Sequence, residues 1–171
     1  MNISNLFVYH LNQDDPKKCT ALKLVRFGLV KKIDFRHIRR TSLVLNPLST
    51  DILSKSDANI LKFGLVVIDC SWKKGLSVFT RTFPGKNKRL PILQAGNPIN
   101  YSKIFTLSSA EAIAASLFIL GHRKESEFIL SKFKWGNTFF QLNTQILDAY
   151  SRARDSDEIA KIEKEYYKKF L

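Results

Sequence analysis

Leu65-Val66-Val67-Ile68-Asp69-Cys70-Ser71-Trp72 is a short, unbroken apolar run that stops at a carboxylate. Four apolar residues in succession are what a strand covered on both faces requires, because both sides of its pleat must be dry. The carboxyl end of such a strand, where Asp69 stands, opens on the crevice in which open α/β sheets bind ligands. Asp69 is therefore a candidate for chemistry, although an acid in this place can also cap the helix that follows. Trp72, three residues on, offers a flat face that can stack on a base or simply pack.

Similar apolar, β-branched or aromatic runs lie at residues 6–9, 42–45 and 90–94, with helix-compatible stretches at 19–27, 52–63 and 72–83. This alternation predicts an α/β fold, a parallel sheet with crossover helices. Pro84, Gly85 and the basic residues 86–89 interrupt it before the last run. From Ser108 onward the pattern is helical. Ser108-Ser109-Ala110-Glu111 reads as a capping box, and the apolar run behind it continues to Gly121, a C-cap. Further helices are expected at about 125–133, ending before Trp135-Gly136, and at about 138–150. In a last one, after Asp155, residues Ile159, Ile162, Tyr166 and Phe170 share a face. The expected architecture is a basic α/β lobe over residues 1–101 and an all-helical lobe over 102–171, joined at the turn Asn97-Pro98-Ile99-Asn100-Tyr101.

Charge points to a partner. Lys and Arg number 28 against 15 Asp and Glu, a net of +13, and the pI is near 9.9. Residues 1–101 carry 17 basic and 6 acidic side chains, net +11; residues 102–171 carry 11 and 9, net +2. Positive charge concentrated on one lobe suits a polyanion, since each neutralised phosphate releases a counterion; the plainer reading is a solvated basic surface. No apolar run reaches the roughly 18 residues of a membrane helix. The start, MNISNLFVYHLNQDD, lacks the basic n-region of a signal peptide, and Cys19 and Cys70 alone are no disulfide framework. A soluble cytoplasmic protein without membrane attachment is expected.

Several site types are excluded by their missing motifs: GxSxG, the Walker loop, GxGxxG, HExxH and CxxC. His10, His37 and His122 are scattered without metal-ligand spacing, and no metal is expected. With 7 glycines in the chain, a glycine-rich phosphate cradle is not expected either. A cofactor would then be held by backbone groups at strand ends.

Taken in order, Asp15-Pro16-Lys17-Lys18-Cys19-Thr20, Leu45-Asn46-Pro47, Asp69-Cys70-Ser71-Trp72, Arg89-Leu90-Pro91 with Asn97-Pro98-Ile99-Asn100-Tyr101, and Leu107-Ser108-Ser109-Ala110-Glu111-Ala112 resemble the small-subunit rRNA aminocarboxypropyltransferases of archaea and eukaryotes. Trp135-Gly136 with Phe139 and Asn143 extends the resemblance over nearly the whole chain. Departures are Asn46 where serine is usual, and Ala21 and Gly96 where the family often has glycine and alanine. The long acidic tail of eukaryotic members is missing, which implies an archaeal member.

The resemblance implies a knotted, SPOUT-like parallel-sheet lobe followed by a helical lobe. It implies S-adenosylmethionine as group donor and small-subunit rRNA, or a pre-ribosomal particle, as partner. The expected reaction moves the 3-amino-3-carboxypropyl group to a ring nitrogen of pseudouridine or its N-methyl form, leaving 5′-methylthioadenosine. Asp69 is the candidate that orients the imide or accepts its proton, or steadies the donor. Thr20 would hold the amino-acid end of the donor, Ile68 the ribose, and Leu90 and Phe105 the adenine through their backbones. Leu45, Pro47 and Trp72 would form the apolar pocket, and Ser109 would close it. Lys17, Lys18, Arg36, Arg39, Arg40, Lys73 and Lys74 are candidate phosphate contacts. The first stretch also resembles the amino terminus of an iron–sulfur ribosome-recycling ATPase, but a cluster needs about four thiolates and the chain has 2 cysteines. Two rival readings are a SPOUT-type RNA methyltransferase and a non-catalytic rRNA-binding assembly factor.

Overall fold

The computed structural model describes residues 5–13, 15–72 and 76–168. Five strands, β1 (Leu6–His10), β2 (Lys31–Lys32), β3 (Leu43–Leu45), β4 (Leu65–Asp69) and β5 (Lys86–Lys88), form one sheet in the order β2-β1-β4-β3-β5. Every pair in it is parallel. β4 is central and buried along its whole length, as its unbroken apolar run requires. The period-2 geometry of strands sends alternate residues to opposite sides. Leu6, Val8, Leu43, Leu45, Leu65 and Val67 enter the larger apolar cluster with the helices. Val44, Val66 and Ile68, with Phe7 and Tyr9 beside them, face a second cluster built on Phe79 and Phe83.

The fifth strand differs from expectation. The run at 90–94 is not a sheet strand; the sheet's last strand is Lys86–Lys88, in the segment read as a basic loop. Charged residues are well placed there, because β5 is an edge strand and lysines discourage edge-to-edge pairing. The 90–94 backbone is satisfied by side chains instead. The Ile92 N–H donates to Glu163 Oε1 at 2.7 Å, the Gln94 N–H donates to Asn143 Oδ1 at 2.8 Å, and Asn143 Nδ2 returns a bond to the Gln94 carbonyl at 2.8 Å. Alternation alone cannot tell these two kinds of partner apart.

The stretches at 52–63 and 72–83 form 3₁₀ turns, Lys55–Phe63 and Leu76–Thr80, rather than α-helices. At about 2.0 Å rise per residue, nine residues reach about 18 Å where an α-helix would reach about 13.5 Å. That length returns the chain along a five-residue strand with few residues. The α-helices are α1 (Thr20–Arg26), α2 (Ser109–Ile119), α3 (Arg123–Leu130), α4 (Gly136–Arg152) and α5 (Ser156–Tyr167). Ser108 and Glu111 make the expected capping box, and Gly121 follows α2 at φ 93°. Nine of the eleven α2 residues are buried, because this helix packs on the sheet, α1, α3 and α4. A Cβ on Gly136 would lie 1.9 Å from the Leu130 carbonyl oxygen, so the α3–α4 corner admits only glycine. Ile159 is buried, with Ile162 and Tyr166 packed on the core; Phe170 lies outside the described residues.

Candidate active site

At the carboxyl ends of β3 and β4 lies a cavity of about 650 Å³, within the range of small-molecule sites. Thr20, Leu45, Pro47, Ile68, Asp69, Trp72, Leu90, Phe105 and Ser109 all line it. They come from α1, the end of β3 and the loop after it, β4 and its exit, the 89–94 segment, the loop before α2 and the start of α2. Nine residues chosen on sequence grounds thus surround one cavity.

Asp69 sits at the centre of a buried polar cluster. In the parallel ladder His10 is the partner of Asp69, so their side chains leave the sheet on the same face. His10 Nε2 approaches Asp69 Oδ2 at 3.2 Å, and the Cys19 thiol donates to the same oxygen at 3.3 Å. From α2, the Ser109 hydroxyl donates to Asp69 Oδ1 at 2.5 Å. His10 Nδ1 is held by Asn12 Oδ1 at 2.7 Å. A carboxylate has about four lone-pair sites, and the Cys19 and Ser109 hydrogen bonds use two of them. Asp69 thus cross-links β1, β4, the N-cap of α1 and the start of α2. Burial pushes the Cys19 thiol up to about 11, so it is protonated at neutral pH and can donate.

The ligand atoms of His10, Cys19 and Asp69 all lie within 4.8 Å of one another, a spacing that could hold a metal ion once the thiol proton is lost. Neither His10 nor Cys19 is among the residues expected at the site; for His10 a signal exists in the sequence. Its signal is the alternation Leu6, Val8, His10 matching Leu65, Val67, Asp69, which becomes a contact only once the β1–β4 register is known.

Three further groups shape the cavity. The Trp72 indole N–H donates to the Leu107 carbonyl at 3.1 Å, tying the exit of β4 to the approach to α2. Arg89 pairs with Glu163 through two bonds of 2.9 and 2.8 Å, and the Tyr150 and Tyr167 hydroxyls donate to the Ile92 carbonyl at 3.2 and 3.1 Å. α4 and α5 thereby clamp the 89–93 wall, and burial holds both tyrosine hydroxyls protonated. Glu111 is fully buried and accepts from Gly96, Asn97 and Ser108. A Cβ on Gly96 would lie 2.5 Å from the Phe139 nitrogen, so the root of this loop is set hard against α4.

The candidate phosphate contacts divide. Lys17 and Lys18 are exposed on the turn before α1, and Lys18 reaches the cavity. Arg36, Arg39 and Arg40 are exposed; Arg39 borders a smaller cavity of about 190 Å³ with Phe7 and Val66, on the opposite face of the sheet. Lys73 and Lys74 lie outside the described residues.

Residues 43–167 match the family model described as "Ribosome biogenesis protein, C-terminal". Residues 5–34 match one described as "Possible Fer4-like domain in RNase L inhibitor, RLI", the same amino-terminal likeness noted from the sequence. The chain is 45% identical to the 16S rRNA aminocarboxypropyltransferase of Thermoplasma volcanium, over 96% of this chain and 99% of that protein. It is 40% identical to the protein of the same name from Methanocaldococcus jannaschii, over 99% of each. The solved structure of the SAM-dependent rRNA:acp-transferase from Vulcanisaeta distributa superposes with a TM-score of 0.85 at 36% identity, covering 95% of this chain and 97% of that one.

Proposed function

Since the chain belongs to the 16S rRNA aminocarboxypropyltransferase family, we propose that it moves the 3-amino-3-carboxypropyl group of S-adenosylmethionine to a pseudouridine, or N-methylpseudouridine, of small-subunit rRNA. The observation that carries this reading is the convergence of nine candidate residues on one cavity, with a buried carboxylate at its floor. The substrate is the rRNA or a pre-ribosomal particle in the cytoplasm; no helix among the described residues is long and apolar enough to cross a membrane.

The cavity fits the donor: an apolar wall from Leu45, Pro47 and Trp72 stands beside the hydroxyls of Thr20 and Ser109. Bound there, S-adenosylmethionine supplies a carbon activated by its sulfonium. Thr20 would hold the amino-acid end, the backbone of Ile68 the ribose, and those of Leu90 and Phe105 the adenine. The chain's own contribution is to align the acceptor nitrogen and exclude water. Asp69, whose carboxylate takes hydrogen bonds from Cys19 and Ser109, would accept the imide proton as nitrogen bonds to the γ-carbon and the carbon–sulfur bond breaks, releasing 5′-methylthioadenosine. With this reading goes a knotted, SPOUT-like sheet lobe, built on the parallel order β2-β1-β4-β3-β5. Residues 1–101 then form the half that binds donor and RNA, and 102–171 the helical half that closes the cleft.

The test is single-turnover transfer from carboxyl-labelled S-adenosylmethionine to small-subunit rRNA, with the released nucleoside identified. Label in the RNA together with 5′-methylthioadenosine is expected. Adenosylhomocysteine would make the chain a methyltransferase, and no turnover with intact RNA binding would make it an assembly factor.

A further inference from the structure

Among the described residues, seven large apolar side chains are exposed, and four of them fall between positions 99 and 105: Ile99 at 66%, Tyr101 at 57%, Ile104 at 42% and Phe105 at 57%. Exposed apolar surface gathered in one place marks an interaction site. We propose that this loop is a stacking platform for unpaired nucleobases of the RNA beside the one being modified; the inference rests on rRNA being the substrate.

The exposure does not come from slack in the loop. Ala95 exchanges backbone bonds with Ser102 and Lys103 at 2.7 and 2.9 Å. Asn97 Oδ1 accepts from the N–H groups of Ile99 and Asn100, and Asn100 Nδ2 donates to the Thr106 carbonyl. Glu111 anchors the root from inside. Ser102 and Phe105 are held at φ 62° and 63°, a left-handed conformation unusual for a bulky aromatic and of the kind that concentrates at binding sites. The fold therefore keeps these side chains outward at a conformational cost.

Position and charge select the occupant. Ile99 and Phe105 also line the cavity, so whatever rests on the loop lies next to the site of transfer. Residues 92–108 contain one charged side chain, Lys103, and no acid. Lys18 and Lys23 stand on the same cavity. Flat apolar faces among cations match a single-stranded polynucleotide, whose bases stack while its phosphates meet lysine and arginine. A second copy of the chain fits poorly, since a two-fold contact through this loop would bring Lys103 toward its own copy between two bodies of net charge +13.

The experiment measures affinity of the full chain for a fluorescein-labelled single-stranded RNA of small-subunit rRNA sequence. Three proteins are compared: wild type, Tyr101→Ala and Tyr101→Phe. S-adenosylmethionine binding and sedimentation are followed alongside. Stacking worth roughly 1–3 kcal/mol per base predicts about 5- to 150-fold weaker RNA binding by Tyr101→Ala. Tyr101→Phe, which keeps the ring, should stay within about twofold, and because stacking neutralises no phosphate the salt slope should match wild type in both. Equal RNA affinity of wild type and Tyr101→Ala would overturn the platform while leaving rRNA as the substrate. So would a wild-type dimer that Tyr101→Ala dissolves. Absence of RNA binding by a wild type that still binds S-adenosylmethionine would overturn the proposed function, and the platform with it.

Discussion

Asp69 carries the most consequence per atom. It is buried among His10, Cys19 and Ser109, so its substitution separates two effects. Asp69→Asn keeps the shape but offers an amide where a carboxylate accepted protons, and transfer should fall by roughly 10²–10⁴-fold, the range for a lost general base. Single-turnover transfer beside calorimetric S-adenosylmethionine affinity checks this; near-wild-type transfer would leave Asp69 a structural cross-link. Cys19 permits a pH experiment. Burial lifts its thiol from about 9.0 to about 11, so the fold favours the neutral form. That contribution is complete below pH 9 and is lost as pH rises through 11. Iodoacetamide should therefore label Cys19 slowly at pH 8–9, since the thiolate is the nucleophile. The urea midpoint of wild type should also drop more between pH 9 and 11 than that of Cys19→Ser.

Among the elements, the 89–94 segment is the instructive one. It has the composition of a strand, yet its polar backbone is satisfied by Glu163, Asn143, Tyr150 and Tyr167 from α4 and α5. Its position therefore depends on helix residues 49 to 75 positions away in the chain. Removing the Glu163 carboxylate strands Arg89 and the Ile92 N–H together. Glu163→Ala is expected to destabilise the protein by about 2–3 kcal/mol, somewhat below the cost of breaking a fully buried pair, because Arg89 is a quarter exposed. Since Leu90, Ile92 and Leu93 line the cavity, S-adenosylmethionine affinity should fall as well. Denaturant unfolding and calorimetry measure the two effects, and a loss of stability with unchanged affinity would show that the wall does not depend on its clamp.

For the whole molecule the governing quantity is charge. With +11 of the net +13 on residues 1–101, binding of an rRNA fragment should be strongly salt-dependent. Contact with about three to five phosphates predicts roughly 10- to 100-fold weaker affinity from 50 to 200 mM salt, read by fluorescence titration. A flat dependence would count against RNA. One continuous apolar cluster runs from β1 through α2 to α5, so the cavity wall from the helices and the floor from the sheet share a core.

The parts legible in the residues themselves were those governed by local chemistry. β4 and its terminal acid follow from an apolar run, α2 from a capping serine and glutamate, and the basic half from counting charges. The other seven cavity residues, apart from Asp69 and Trp72, rest on resemblance to a family, because backbone recognition of a ligand leaves no side-chain motif to read. The rest depended on contacts across long chain separations. His10 meets Asp69 because β1 and β4 pair in one register, and a shift of one residue would turn it to the other face. Residues 90–94 stand outside the sheet, with their backbone groups bonded to side chains of α4 and α5. Periodicity reports which side of a segment is dry; which partner dries it is decided by the packing of distant segments, and that only the tertiary structure contains.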